Sequence, residues 1–415
     1  MKRTRITHAI VGLLTCLGLC EVVAQAEDNV FVTLLSSPGK TEIVRRPRVA
    51  DFSHMPGRGK ITSLPSYRPE SRESWQVDLR SCDLSSLDVH GRLNELLQAD
   101  FDSKTIWPSS LPSGFSVSRI MELGQNPGLG LRAVHEQGIT GAGVGLAIID
   151  QALLVDHVEY RDRLRLYEEI HYPKGEPAQM HGPAVASIAV GKTVGVAPQA
   201  DLYYIAEWHA RKAGGQGLEF ELTPLAQAID RLVAINKMLP RERRIRVISI
   251  SLAINPRMTG FDLVKQSIAN AEQNGIYTVY VGSDPFMGLG RAPLSDPDRF
   301  DSYSPGQLWI DSWKANRDAL LVLMDSRCVA APNDDGDYMF NRVGGASWTV
   351  PWVAGLYALA CQVKPDITPK EFWEAARKTS VGAHAVLDGE DVEFGHIINP
   401  AALLNALRDA KGRQQ

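Results

Sequence analysis

Three short segments hold residue types that together could perform nucleophilic acyl transfer. The first is Gly141-Ala142-Gly143-Val144-Gly145-Leu146-Ala147-Ile148-Ile149-Asp150. The second is His181-Gly182-Pro183-Ala184-Val185-Ala186-Ser187, and the third is Gly344-Gly345-Ala346-Ser347-Trp348-Thr349-Val350-Pro351. A serine hydroxyl is a weak nucleophile at neutral pH and needs an adjacent base. An imidazole can take that proton and later return it to the leaving group. A carboxylate can hold the imidazole in the right tautomer and stabilise it when charged. Asp150, His181 and Ser347 supply one of each. Alone, each has a plainer structural reading: a strand-end turn former, a turn histidine and a serine helix cap. Together they stand in the order Asp, His, Ser, one of the recurring chain orders of this constellation.

The surrounding sequence supplies elements that can position them. Gly143 to Ile149 is a short apolar run ending in Asp150. Leu202–Ala206, Ile245–Leu252, Ile276–Val281 and Leu320–Met324 are further runs of this kind. Such runs, short and rich in Val and Ile, suit strands buried on both faces. Between them, Thr223-Pro224 opens a segment with Leu225, Ala228, Ile229, Leu232 and Ile235 at helical spacing. Phe261 to Asn274 forms a second, closed by Asn274-Gly275. Strands and helices in alternation predict a mostly parallel sheet covered by helices on both faces. Functional groups gather at the carboxyl ends of strands in such sheets, where Asp150 stands. Gly344-Gly345 allows a tight turn that brings Ser347 to a helix start, whose amides favour developing negative charge. Pro351 is expected in the first turn or so of that helix, where a missing N–H costs little.

From about residue 120 to 408 the chain resembles the subtilisin-like (S8) serine peptidases. Gly345, Ser347 and Pro351 match the family's Gly-Thr-Ser-Met-Ala-x-Pro motif, while Ala346, Trp348 and Thr349 depart from it. His181, Gly182, Val185 and Ala186 match His-Gly-Thr-His-Val-Ala-Gly, and Pro183, Ala184 and Ser187 do not. Gly195-Val196-Ala197-Pro198-Gln199-Ala200 is similar to the family's Gly-Val-Ala-Pro-x-Ala. The Ser/Thr-Gly that usually follows the aspartate is replaced by Gln151-Ala152. The closing Gly395-His396-Ile397-Ile398-Asn399-Pro400-Ala401 resembles Gly-x-Val-Asn-Ala. The resemblance implies an α/β, subtilisin-like three-layer fold with a mostly parallel central sheet. It implies an Asp150–His181–Ser347 triad hydrolysing peptide bonds through an acyl-enzyme, with no redox or organic cofactor.

The family also stabilises the oxyanion with an Asn side chain. The matching stretch here is Tyr280-Val281-Gly282-Ser283-Asp284, which contains no Asn. Ser283 takes the aligned place as the oxyanion candidate; an ionised Asp284 cannot donate. Losing one such donor typically costs ~2.7–4 kcal/mol. Ser251-Leu252-Ala253 resembles the strand that pairs with an extended peptide, and these three residues with Gly282 form the expected substrate-binding set. Tyr280 stands where a small residue often lines the first specificity pocket, which points to a restricted pocket. Asn333-Asp334-Asp335-Gly336-Asp337 is a possible calcium loop, but its spacing fits no full calcium-loop pattern and reads better as a solvated acidic turn.

Composition bounds the partners. The 415 residues carry a net charge of −4; beyond residue 26 there are 41 Lys and Arg against 47 Asp and Glu. That balance argues against nucleic acid as the main partner; a peptide or protein substrate is what the resemblance implies. Lys2, Arg3 and Arg5, the apolar stretch Ala9–Leu19 and Ala24-Gln25-Ala26 read as an export signal cleaved after Ala26. The run is shorter than the ~20 residues needed to span a bilayer, and no later segment is long enough. The expected location is therefore secreted or periplasmic. A lipoprotein reading at Cys20 ranks lower, because Leu19 before it is bulky. Cys82, Cys328 and Cys361 then remain; a Cys82–Cys328 bridge is one possibility, and Cys361 reads as a buried small hydrophobe.

The expected organisation is a signal peptide over 1–26, an N-terminal region over 27–117 with the length of a propeptide, and a peptidase domain over 118–410. Leu87–Leu97 is a candidate short helix in the N-terminal region, and Arg45-Arg46 a candidate processing site. One rival is a non-catalytic relative that binds peptides or proteins on the same scaffold. The missing oxyanion Asn and the altered flanks of Asp150 and His181 favour it. The other is an α/β-hydrolase esterase, which would require Gly-x-Ser-x-Gly; Thr349 occupies the last position.

Overall fold

A computed structural model describes residues 30–33, 42–71, 73–212, 218–306, 316, 318–387 and 389–412. The expected signal segment and its cleavage site lie outside the described residues. A central sheet of seven strands organises the chain. Its order is Val30–Thr33, Leu164–Pro173, Asp201–Glu207, Gly145–Asp150, Ile245–Ala253, Tyr277–Val281, with Glu42–Ile43 also paired to Leu164–Pro173. Val30–Thr33 is antiparallel to its neighbour, and the other pairings are parallel.

Every residue of Gly145–Asp150 is buried, as the apolar run requires of a central strand. Its side chains alternate between two cores. Leu146 and Ile148 face a core shared with the helices His181–Val190 and Ala346–Val363. Ala147 and Ile149 face a core shared with Thr223–Met238, against which Phe261–Gln273 contributes Val264 and Ala271. The arrangement is therefore three-layered, helix–sheet–helix, with a mostly parallel sheet. Alternation assigns Asp150 to the same face as Leu146 and Ile148, where the His181 and Ser347 helices pack.

Two expectations need correction. Leu320–Leu323 is a strand, but it belongs to a separate five-stranded sheet between Phe286–Arg291 and Glu390–Ile397. An apolar run announces burial on both faces without naming the sheet that buries it. In the Leu87–Leu97 segment only Leu93–Leu97 is helical.

The N-terminal region is woven into the body. Val77–Asp78 pairs with Ala99–Asp102, which pairs in turn with Tyr338–Asn341, the strand that leads into the Ser347 loop. Val77, Leu79 and Phe101 share a third core with Ile120, Cys328 and Phe340. Arg45 is spent in an ion pair with Glu169, its Nε 2.9 Å from Oε1, and Arg46 pairs with Asp156. Cys82, Cys328 and Cys361 are buried and free, so the bridge considered from sequence is not formed. Among the described residues no helix is long and apolar enough to cross a membrane.

Candidate active site

Asp150 ends the central strand with its carboxylate almost wholly buried. Its Oδ1 accepts from the Gln151 amide at 2.8 Å and lies 2.7 Å from His181 Nδ1. His181 is the first residue of its helix. Gly182 allows that helix to come close: a Cβ there would lie 2.6 Å from the Gln151 carbonyl oxygen and 2.7 Å from the Tyr204 hydroxyl. Two tyrosines secure the chain just after Asp150. The Tyr204 hydroxyl donates to the Gln151 carbonyl, and the Tyr172 hydroxyl accepts from the Ala152 amide at 2.9 Å. Burial, with the nearby Asp150 charge, raises the Tyr204 phenol well above its ordinary value, so it stays protonated and able to donate. These tyrosines do for Gln151-Ala152 what motif comparison could not reveal, because they reach the turn from neighbouring strands.

Ser347 is the second residue of Ala346–Val363, behind Gly345 in extended conformation. The first amides of a helix lack intrahelical acceptors; here the Trp348 amide donates to the Gly345 carbonyl at 2.8 Å, and Ser347 sits at the positive end of the helix dipole. Gly344 serves close approach: a Cβ there would lie 2.3 Å from the Met324 carbonyl oxygen. At Gly345 the nearest atom to a Cβ would be 3.8 Å away, so steric need rests on Gly344 alone.

Pro351 lies inside the helix, one turn beyond the place expected for it. Its missing N–H would have bonded the carbonyl four residues back, that of Ser347. The Ser251 hydroxyl donates to that carbonyl instead, at 2.9 Å. The Ser347 hydroxyl in turn donates to the Ser251 carbonyl at 3.2 Å. Among the described residues no hydrogen bond joins Ser347 to His181. The edge of the Trp348 ring meets the His181 ring, centroids 5.4 Å apart and planes at 67°.

Of the expected groove residues, Ser251 lies against Ser347. The ladder between Ile245–Ala253 and Tyr277–Val281 shifts register between Ile250 and Ala253, which frees Ser251 to face Ser347. Leu252 is buried in the opposite core, so Ser251 and Ala253 share the site face. Gly282, at φ +87°, turns the chain out of the neighbouring strand and is exposed. Ser283 follows. Its hydroxyl donates to Asp284 Oδ2 at 2.7 Å and accepts from the Tyr280 amide at 3.2 Å. Asp284 also accepts from the Tyr277 hydroxyl, whose own proton is held by burial and by the Asp284 charge. Tyr280 is half-buried at the edge of this turn.

In the acidic turn, Lys104 Nζ lies 2.9 Å from Asp337 and 3.6 Å from Asp334, and Arg161 is 3.9 Å from Asp335. Among the described residues no cluster of three His, Cys, Asp or Glu side chains is arranged to hold a metal.

Residues 141–298 match the family model of the subtilase family, which takes in Asp150, His181 and Ser283 but stops short of Ser347. That segment, 158 of the 415 residues, is similar to subtilase-family sequence. A curated relative, the subtilisin-like protease PopC of Myxococcus xanthus (strain DK1622), is 38% identical over 85 residues, 18% of this chain and 18% of its own. The chain thus matches less than a fifth of that relative's length. Among solved structures, the prenylagaramide maturation protease PagA aligns over 67% of this chain and 98% of its own, at 16% identity and a TM-score of 0.43. The matched segment includes the strand that ends in Asp150 and the helix that opens with His181.

Proposed function

We propose that this chain is an exported serine endopeptidase that cleaves peptide bonds through an acyl-enzyme. The observation that carries the reading is the 2.7 Å contact between Asp150 and His181 Nδ1, made at the mouth of a subtilase segment and beside the helix that begins at Ala346. Asp150 accepts a hydrogen bond from Nδ1–H and so holds the tautomer whose Nε2 is free to act as the base. Rotation about the Ser347 side chain takes its hydroxyl from the Ser251 carbonyl to Nε2. Hydrogen bonds of this kind are often loose before substrate binds. Ser347 Oγ then bonds to the substrate carbonyl carbon as its proton passes to His181. The resulting oxyanion faces the amides at the Ser347 helix start, with Ser283 as a side-chain donor once its hydroxyl turns from Asp284. His181 gives the proton to the leaving amine as the C–N bond breaks. A water repeats the sequence to release the acid. The acyl part of an extended substrate pairs with the Ser251-Leu252-Ala253 edge and Gly282. No step calls for a redox or organic cofactor; calcium could serve only a structural role.

A second reading draws on a specific observation: both relevant hydroxyls are engaged elsewhere, Ser347 with Ser251 and Ser283 with Asp284. A peptide-binding relative without turnover would tolerate both. A fluorophosphonate probe separates the two. Labelling of the wild type and not of Ser347→Ala supports the peptidase; an unlabelled, folded, mature wild type supports the binder.

A further inference from the structure

A cavity of about 200 Å³ lies between the N-terminal region and the loop that enters the Ser347 helix. Gly344, Gly345 and Trp348, which flank Ser347, form one side of it, together with Met180, which precedes His181. No residue of the Ile245–Ala253 strand lines it, nor does Gly282. It therefore lies apart from the edge assigned to the acyl part of a substrate, yet touches the neighbours of both Ser347 and His181.

The opposite wall comes from the N-terminal region. Phe52, Met55 and Trp75 supply apolar surface. The charges beneath them cancel. Asp78 takes Arg80 in a two-point pair at 2.9 and 2.7 Å, and Arg58 at 2.6 Å. Asp102, also at the wall, is held by the Ser81 amide and hydroxyl, each at 2.9 Å. Two arginines against two carboxylates leave no net charge to attract an ion, and a second buried charge would go unpaired at high cost.

This wall is fastened to the nucleophile's own loop. The Trp75 indole donates to the Val343 carbonyl at 2.9 Å, and Asp100 accepts the Arg342 amide at 2.8 Å. Phe101 pairs with Phe340 in the strand just upstream. Removing the region would expose Ile120, Cys328 and Phe340, now fully buried against it, and would open the cavity on one side.

We infer that this cavity binds the uncharged, apolar side chain of the substrate residue just after the scissile bond, and that the N-terminal region stays in the working enzyme as its outer wall. The inference rests on the peptidase reading. It makes Phe52 and Met55 specificity residues. Both are only half-buried, so shortening them spares the fold.

The test uses the full chain and peptides of one acyl half, with Gly, Leu, Phe, Asp or Lys after the scissile bond. A methyl ester of the same acyl half, whose methanol leaving group is too small to fill a side-chain pocket, is the control. Burial of one large apolar side chain predicts kcat/KM at least about tenfold higher for Leu and Phe than for Gly, Asp or Lys. Phe52→Ala and Met55→Ala should shrink that preference and leave ester hydrolysis unchanged. Intact mass should find residues 42–102 in the active species. Turnover without the preference, a preference untouched by both variants, or an active species lacking 42–102 overturns the inference alone. No turnover of any substrate, with no fluorophosphonate labelling, overturns the peptidase reading and this inference with it.

Discussion

Ser251 and Ser347 hold each other by a reciprocal pair of hydrogen bonds, each hydroxyl donating to the other's carbonyl, at 2.9 Å from Ser251 and 3.2 Å from Ser347. The pair exists because Pro351 leaves the Ser347 carbonyl without its helical partner. One proline thus ties Ser347, the proposed nucleophile, to the strand proposed to pair with substrate, across two elements that are nearly 100 residues apart in sequence. On the proposed mechanism, substrate pairing along that strand and release of the Ser347 hydroxyl are coupled events.

Ser251→Ala should leave the Ser347 carbonyl buried without a donor and cost about 1–3 kcal/mol of stability. Pro351→Ala restores the helical N–H. The double variant should therefore be more stable than the two single effects predict, by about 0.5 kcal/mol or more. Denaturant unfolding of the four proteins measures the coupling. Strict additivity would mean that the Pro351 gap and the Ser251 hydroxyl are unrelated.

As the proposed oxyanion donor, Ser283 is predicted to contribute less than an unencumbered one, because its hydroxyl donates to Asp284. Turning its hydroxyl toward an oxyanion breaks a hydrogen bond to the Asp284 carboxylate, worth about 1.5–3 kcal/mol. A full oxyanion donor contributes about 2.7–4 kcal/mol. The difference is near 1 kcal/mol, so Ser283→Ala should lower kcat about tenfold or less, with KM little changed. A loss of several hundredfold would show that Ser283 is already free of Asp284 when substrate is bound.

Asp100 links the N-terminal region to pH. Burial raises its carboxyl to about 8, against the pull of Arg80. In an unfolded chain the group would titrate near ~3.9. The folded state therefore binds the extra proton between those values, and the group's contribution to stability falls as pH rises from about 4 to about 8. Asp100→Asn keeps an oxygen for the Arg342 amide and removes the titration. Its Tm advantage over the wild type should grow from pH 5 to pH 9. An advantage that does not change with pH would place the carboxyl's titration elsewhere.

Much of this was readable in the sequence. The buried run ending in Asp150, the helix opened by Thr223-Pro224 and the helix carrying Ser347 all follow from local periodicity, which survives in the three-layer arrangement. What was not readable depends on contacts between distant segments. Tyr172 and Tyr204 support the turn after Asp150 from two other strands. Ser251 answers a gap made by Pro351. The N-terminal strands Val77–Asp78 and Cys82–Asp83 are two residues long, too short to leave a pattern; the first gains its order from pairing with Ala99–Asp102, the second from pairing with Gly59–Lys60, and both from the core they share with Phe340. Leu320–Leu323 looked like its neighbours in sequence and joined another sheet, because strand composition reports burial and not partnership.

The account turns on Ser347 being activated by the His181–Asp150 pair. The most direct measurement is mass mapping of the covalent adduct formed by a fluorophosphonate on the wild type and on His181→Ala. The prediction is a single adduct on the peptide that contains Ser347, forming at least about 1,000-fold more slowly once the imidazole is gone. An adduct on any other residue, or a Ser347 adduct that forms at the same rate without His181, would contradict it.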